Sequence, residues 1–144
     1  MNAYKHILVG IDGSPQAEAA LAKAAAIARS NGARLIIVHI VEEIKSYRAV
    51  AFDDGTQIRF QDQAQELVNG YAKRCVESGC KDVVCIVEKG NPKALLALDI
   101  PQREKVDLIV TGATGLNAFE RLMIGSCAGY IIEHAKADVL VVRN

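Results

Sequence analysis

Three glycines and a serine carry the clearest chemical signal in the sequence. Gly112 and Gly115 follow the apolar run 106–110, and Gly125 and Ser126 come after nine intervening residues, before a helix-like segment. Glycine lets a backbone approach a ligand where a Cβ would clash, and a helix that opens on Gly-Ser offers N–H groups and a hydroxyl to phosphate. The spacing alone also fits a surface loop with an ordinary Ser N-cap, so two interpretations stand at this point.

The composition is typical of a globular protein and excludes several classes. With 144 residues, 51% hydrophobic and 24% charged, we expect one domain over residues 1–144. Seventeen basic residues balance seventeen acidic ones, and no block of like charge indicates nucleic-acid binding. The apolar runs are too short to span a membrane and the N-terminus lacks a signal-peptide pattern. We therefore expect a cytoplasmic protein without a nucleic-acid or membrane partner.

The four cysteines do not form a recognisable metal or redox motif. Cys75, Cys80, Cys85 and Cys127 show no CxxC spacing, and the histidines lie elsewhere. We expect core or surface thiols, with Cys75 and Cys85 in apolar surroundings. A Cys80–Cys127 disulfide or another pairing stays open, although a reducing compartment disfavours it.

Apolar runs and helical patterns alternate along the chain. The strand-like runs are 6–11, 34–41, 83–88, 106–111 and 138–142. They are almost continuously apolar, which is expected when helices cover both faces of a parallel sheet. The sequence therefore predicts an α/β fold, a three-layer doubly wound sheet of five parallel strands in the order 3-2-1-4-5 with helices on both faces.

The helices have readable ends. Ser14 and Pro15 predict the N-cap and first residue of a helix that Asn31-Gly32 ends. The other predictions are a second helix through 64–76 that ends at Ser78-Gly79, a third from Asn91-Pro92 to Pro101, and a fourth that Ser126 caps and that buries Ile131 and Ile132. A longer connection spans 42–56, where Tyr47 and Phe52 cover a ligand, fill a partner's groove or, as we expect, hold the loop against the body.

The predicted topology brings two polar loops together. In doubly wound sheets, ligands bind beyond the carboxyl ends of the strands, where the strand order reverses. For the order 3-2-1-4-5 this point lies between strands 1 and 4, next to residues 10–14 and 111–115. Two glycine-containing polar loops at this point favour phosphate binding over a plain surface turn.

Individual side chains at this point allow more than one role. Asp12 fits equally a Mg²⁺ site through water, a hydrogen bond to a base or ribose, and a turn-forming Asp-Gly-Ser. Arg121 lies in the nine-residue loop, where it reaches a phosphate or, as we expect more often, stays solvated. His39 is expected to be a core histidine with a hydrogen-bond partner rather than a catalytic group.

Several catalytic motifs are missing from the sequence. Gly-Lys-Ser/Thr and GxGxxG do not occur, and no Ser-His-Asp or Cys-His arrangement can be read from the spacing. Standard P-loop NTPase chemistry is therefore disfavoured. The pattern indicates a binding site more than a reaction centre.

Over the whole chain, the sequence resembles the universal stress protein family, in its nucleotide-binding branch. The similar segments are 6–14, 37–40, 90–92, 107–112 and 137–142, together with the motif Gly-x2-Gly-x9-Gly-Ser at Gly112, Gly115, Gly125 and Ser126. The resemblance implies ATP as the ligand. It places Asp12 and Ile40 near adenine and ribose, and around the ribose and phosphates it places Thr111, Gly112, Ala113, Thr114, Gly115, Gly125, Ser126 and Cys127.

The resemblance also implies an assembly and includes one departure. Family members commonly dimerise through the last strand, here Val139 to Val142, which implies a homodimer. Gly10 stands where the family often has Pro or Val, a departure that concerns one local ligand contact and leaves the implied site in place.

Three functions are compatible with the sequence. The first, which we favour, is an ATP-binding stress-response protein with little or no hydrolysis. The second is a weak ATP hydrolase or adenylyl-transferring enzyme, and the third is a protein-interaction module that binds no nucleotide.

Overall fold

One parallel sheet of five strands forms the centre of the fold. The computed structural model describes residues 3–42, 54–114 and 124–143. The strands are β1 (His6–Gly10), β2 (Arg34–Val41), β3 (Val83–Lys89), β4 (Leu108–Gly112) and β5 (Asp138–Val142). Their order across the sheet is β3-β2-β1-β4-β5, and every neighbouring pair is parallel. The predicted order 3-2-1-4-5 is therefore confirmed.

Helices connect the strands and cover both faces of the sheet. They are α1 (Pro15–Asn31), α2 (Asp54–Glu77), α3 (Pro92–Ala94), a π-helical turn (Leu95–Asp99), α4 (Ile100–Arg103) and α5 (Ser126–His134). Side chains of α1 and α2 pack on one face, and those of the π turn, α4 and α5 pack on the other. Within the described stretches, no helix combines the length and apolar composition that crossing a bilayer requires.

The two faces explain why the strands are apolar throughout. Along β1, Ile7 and Val9 pack toward α1 and α2, whereas Leu8 packs toward α4 and α5. All three side chains are fully buried. Each such burial stabilises the fold by roughly 1.5–3 kcal/mol relative to an exposed side chain. Because both faces are covered, neither set of alternating positions can be polar.

The ends of α1 match the prediction. The Ser14 side chain is buried, and its Oγ accepts a hydrogen bond from the N–H of Ala17 at 3.1 Å. Pro15 follows as the first helical residue, where its missing N–H has no cost. At the other end Gly32 has φ 63° and its N–H donates to the carbonyl of Ala28. A left-handed glycine at this position satisfies a carbonyl that the helix leaves unpaired.

The third helical segment does not end at Pro101, as the sequence predicted. The N–H of Ile100 donates to the carbonyl of Leu95, five residues earlier, which makes the π turn. Pro101 then lies in the first turn of α4, and the helix continues to Arg103. A proline is tolerated there because the first turn does not need its N–H. The sequence pattern gave no sign of the π turn.

The connection after β2 also differs from the prediction in its bounds. The helix α2 begins at Asp54, so the last three residues of the predicted 42–56 connection are helical. Tyr47 and Phe52 lie outside the described residues. Their predicted role in holding the loop therefore stays a prediction.

All four cysteines are free thiols. Cys75 and Cys80 are buried on the α1 and α2 side of the sheet, and the Cys80 Sγ lies 3.6 Å from the carbonyl oxygen of Ala25. Cys127 packs on the opposite side. The Cys80–Cys127 disulfide that the sequence left open is absent because the sheet separates the two thiols.

The end of β4 packs directly on the first turn of α1. A Cβ added to Gly112 would lie 3.0 Å from the backbone oxygen of Gln16 and 3.2 Å from its carbonyl carbon. Distances of 3.0–3.4 Å are tighter than nine in ten real Cβ contacts, and backbone atoms cannot rotate away as a side chain can. Glycine at this position therefore sets how closely α1 approaches the sheet.

We predict that Gly112→Ala lowers the free energy of unfolding by about 1–3 kcal/mol, because α1 must shift to admit the methyl group. The matched control is Gly70→Ala in α2, where an added Cβ meets nothing within 4 Å. That substitution should raise the free energy of unfolding by about 0.5–1 kcal/mol, since alanine has the better helix propensity. Urea unfolding of the two variants measures both changes. A Gly112→Ala variant with the same free energy of unfolding as the wild type would contradict the packing argument.

Candidate functional site

A cavity opens at the carboxyl ends of β1, β2 and β4, where the strand order reverses. Its volume is about 690 Å³, within the range of about 300–1,000 Å³ that small-molecule sites occupy. Many of the predicted site residues line it, namely Gly10, Asp12, Ile40, Thr111, Gly112, Thr114, Gly125, Ser126 and Cys127. The structure therefore brings together the two loops that the topology predicted to meet.

The loop after β1 is a hydrogen-bonded turn. The Asp12 Oδ1 accepts the N–H of Ser14 at 2.9 Å, and Gly13 between them has φ 85°. The Asp-Gly-Ser turn is thus the role of Asp12 that the structure shows. Asp12 is also exposed and lines the cavity, so its carboxylate stays accessible to a ligand.

His39 supports this turn from the neighbouring strand. Its Nδ1 lies 2.7 Å from the carbonyl oxygen of Ile11, and the side chain is partly buried. Because a carbonyl only accepts, Nδ1 carries the proton. The backbone N–H of Ile11 donates to the carbonyl of Val38 at 2.8 Å. His39 is therefore the hydrogen-bonded histidine that we expected, and it fixes the loop after β1 against β2.

One wall of the cavity comes from the π turn, which sequence reasoning did not assign to the site. Leu96 lines the cavity next to Pro92. A Cβ on Gly10 would lie 3.1 and 3.3 Å from the two Cδ atoms of Leu96. The leucine therefore fills the space above Gly10, at the position where the sequence departs from the family pattern. The pairing could not be read from the sequence, because it depends on the register of the π turn.

The loop after β4 connects the sheet to α5. The N–H of Ala113 donates to the carbonyl of Val142 at 3.0 Å, and its carbonyl accepts the N–H of Gly125 at 2.7 Å. Ala113 is buried and is not part of the cavity lining, whereas Thr111 and Thr114 are. Ala113 thus holds the start of α5 in place rather than contacting a ligand directly.

Of the motif glycines Gly112 and Gly115, Gly112 lies within the described residues and Gly115 does not. Gly112 lines the cavity, but its missing Cβ points at the backbone of Gln16. Its lack of a side chain therefore serves helix packing, which we had not predicted. Gly115 and Arg121 lie outside the described residues, so their roles stay predictions.

The helix α5 begins at the rim of the cavity, with Gly125 and not Ser126 as its N-cap. Gly125 has an extended backbone (φ −64°, ψ 163°), and its carbonyl accepts the N–H of Gly129 at 2.9 Å. Ser126 is the first helical residue, and no side chain caps the helix. The predicted Ser126 cap is wrong because capping needs the extended residue before the helix. The amides of Ser126 and Cys127 consequently have no acceptor within the helix.

The predicted burial of the two isoleucines of α5 is only half right. Ile131 is buried as predicted, with 1% of its surface exposed, but Ile132 is 49% exposed. The two residues are neighbours on a helix, so they point about 100° apart. Ile132 therefore adds an apolar side chain to the surface of α5.

Three charged groups influence the thiol of Cys127. Burial raises the pKa of Cys127 above its ordinary value, and the Asp12 and Glu42 carboxylates raise it further. The ammonium of Lys93 acts in the opposite direction. Sequence reasoning missed both Glu42 and Lys93. A signal for Lys93 was available, since it directly follows the Gly90-Asn91-Pro92 segment that marked the helix start.

Comparisons with known proteins agree over almost the whole chain. Residues 3–143 match the model of the universal stress protein family. A putative universal stress protein of Staphylococcus aureus strain USA300 is 38% identical over 144 residues, which is 100% of this chain and 87% of that protein.

Solved structures show the same fold. The universal stress protein UspA from Lactobacillus plantarum is 26% identical with a TM-score of 0.87, over 99% of this chain and 100% of that one. A universal stress protein in complex with cAMP is 25% identical with a TM-score of 0.70, over 99% of this chain and 98% of that one. The family model matches almost the whole chain and the relative is 38% identical over the full length of this chain, so the chain belongs to the universal stress protein family.

Proposed function

We propose that this universal stress protein binds an adenine nucleotide in the cavity at the reversal of the strand order. The observation that carries the proposal is the start of α5, where Ser126 and Cys127 line the cavity and their amides have no acceptor within the helix. Amides and the helix dipole at such a position favour a phosphate group. The relative solved in complex with cAMP supports an adenine nucleotide as the class of ligand.

In this proposal the two ends of the cavity hold different parts of the ligand. Adenine and ribose lie beside Asp12 and Ile40, where β1 and β2 end. The phosphates lie between residues 111–115 and Gly125 to Cys127. ATP is the nucleotide that the glycine motif favours, and Mg²⁺ bound through water by Asp12 would offset its charge.

The proposed role is binding rather than turnover. Phosphoryl transfer needs cations that neutralise the developing charge and a group that orients the nucleophile. The charged side chains that line the described part of the cavity are the carboxylates of Asp12 and Glu42. The sequence also lacks a Gly-Lys-Ser/Thr motif and shows no Ser-His-Asp or Cys-His arrangement, so we propose little or no hydrolysis. The chain would then act as a stress-response module whose loops change with the bound nucleotide.

The four free thiols support a reducing compartment, for which we propose the cytoplasm. We further propose that residues 1–144 form one domain.

We predict that Ser126→Glu weakens nucleotide binding without unfolding the protein. A carboxylate in the first turn of α5 repels phosphate but interacts favourably with the helix dipole, so the free energy of unfolding should stay equal or rise by about 0.3–1 kcal/mol. Ser126→Gln is the matched control, with similar size and no charge. Calorimetry with AMP, and with ATP and Mg²⁺, should show a nucleotide affinity at least about tenfold below that of the wild type for Ser126→Glu. The affinity of Ser126→Gln should stay close to that of the wild type.

Two results would contradict this proposal. One is a wild-type protein, stripped of ligand by denaturation and refolding, that binds no adenine nucleotide at millimolar concentration. The other is an unchanged affinity in Ser126→Glu, which would place the phosphates away from α5.

We also propose that two copies associate through β5. This strand is at one edge of the sheet, beside β4, so its outer backbone groups are available to a second strand. Val139 packs against the α5-side core and Leu140 and Val142 against the other, whereas Val141 is partly exposed and belongs to neither core cluster of the described residues. A two-fold pairing of β5 with its copy would cover both the backbone groups and Val141.

We predict that Val141→Arg converts a dimer to a monomer, because the charge would be buried against the partner strand. The control is Val76→Arg, at a valine that is 55% exposed on α2. Sedimentation equilibrium should give a dimer for the wild type and the control and a monomer for Val141→Arg. A monomeric wild type, or a dimeric Val141→Arg, would rule out association through β5.

A further inference from the structure

Lys93 directly follows a residue of the cavity lining, on a backbone segment that a hydrogen bond holds in place. Its N–H donates to the Asn91 Oδ1 at 2.9 Å, which caps the helical segment that begins at Pro92. Pro92 lines the cavity, and Lys93 is the next residue and is partly buried. The capped turn therefore fixes the position of the Cα of Lys93 beside the cavity opening.

The ammonium of Lys93 acts on the same end of the cavity as the start of α5. Its field lowers the pKa of Cys127, the second residue of α5 and part of the cavity lining. The segment that carries Lys93 also packs against α5. The segment that carries this cation therefore lies beside the helix whose first residues line the cavity.

The other charges around this volume are negative. Asp12 and Glu42 line the cavity, and both raise the pKa of the Cys127 thiol. Arg34–Asp82 and Arg103–Glu88 are ion pairs, and among residues 3–42, 54–114 and 124–143 no ion pair joins Lys93 to Asp12 or Glu42. Lys93 is therefore not neutralised by either cavity carboxylate in this part of the chain, and its charge is available to an incoming anion.

We propose that Lys93 binds a phosphate of the nucleotide and offsets its repulsion from the two carboxylates. This inference rests on the proposed nucleotide binding and adds a residue to it. A lysine is suited to this role because its ammonium is a point charge on a flexible stem that can follow a phosphate oxygen. The contribution of Lys93 to ligand affinity should depend on the phosphate and not on the base.

The test is calorimetry with adenosine, AMP and ATP on the wild type and on Lys93→Gln, Lys93→Arg and Lys81→Gln. Lys81 is exposed and lies just before β3, at the amino ends of the strands, whereas the cavity lies at their carboxyl ends. The substitution Lys81→Gln therefore removes the same charge far from the cavity. Lys93→Gln should lower the affinity for AMP and for ATP about tenfold and leave the affinity for adenosine unchanged. Lys93→Arg should recover most of the affinity, and Lys81→Gln should match the wild type.

The outcomes separate this inference from the proposed function. If the wild type binds AMP and Lys93→Gln binds it equally well, the role of Lys93 is wrong while nucleotide binding stands. If Lys93→Gln weakens adenosine as much as AMP, Lys93 acts through the fold and the phosphate contact is wrong. A wild type that binds none of the three overturns both.

The Cys127 thiol gives a second readout that needs no nucleotide. Loss of the Lys93 ammonium should raise the pKa of Cys127, so the pH midpoint of its alkylation by iodoacetamide moves to higher pH in Lys93→Gln. Peptide mass spectrometry identifies Cys127 among the four thiols, and Lys81→Gln again serves as control. An unchanged midpoint in Lys93→Gln would show that the ammonium does not face α5 and would overturn the assignment.

Discussion

The parallel pairing of β1 with β4 is the constraint on which the rest of the structure depends. Ile7, Leu8 and Val9 pair with Leu108, Ile109 and Val110, so both strands end at the same edge of the sheet. From there the chain runs from β1 into α1 on one face and from β4 toward α5 on the other. Because the two connections leave in opposite directions, a crevice remains between them that neither fills. The cavity is therefore a consequence of strand order before any side chain is considered.

A few hydrogen bonds turn this crevice into a site of fixed shape. The Ala113 carbonyl holds the N–H of Gly125, and the Ala113 N–H is bound to Val142 of β5. The start of α5 is thus attached to the sheet by the residue that begins the loop after β4. On the other side, the His39 ring and the Asp12 turn fix the end of β1. Amides of α5 and the carboxylate of Asp12 are consequently presented by rigid elements, which favours a binding site that is formed before the ligand arrives.

The strands and the ends of α1 could be predicted because their signals are local. Continuous apolar runs need only the rule that buried sheets are apolar on both faces, and Ser14, Pro15 and Gly32 each act within one turn of a helix. The departures concern residues whose environment is set by distant parts of the chain. The π turn places Leu96 over Gly10, Gly112 is required by Gln16, and Lys93 faces α5, all across elements that no local pattern links. Ser126 was misassigned as a cap for a smaller reason, a shift of one residue at a helix boundary.

The measurement that tests the account most directly is a titration of ¹⁵N-labelled protein with AMP, followed by the amide chemical shifts. Binding at the reversal of the strand order predicts shifts concentrated in residues 10–14, 111–114 and 125–127, with the largest at Ser126 and Cys127. Amides at the opposite edge of the sheet, such as Tyr4 and Asp107, should not move. Unchanged spectra at millimolar AMP, or shifts confined to that opposite edge, would contradict the account.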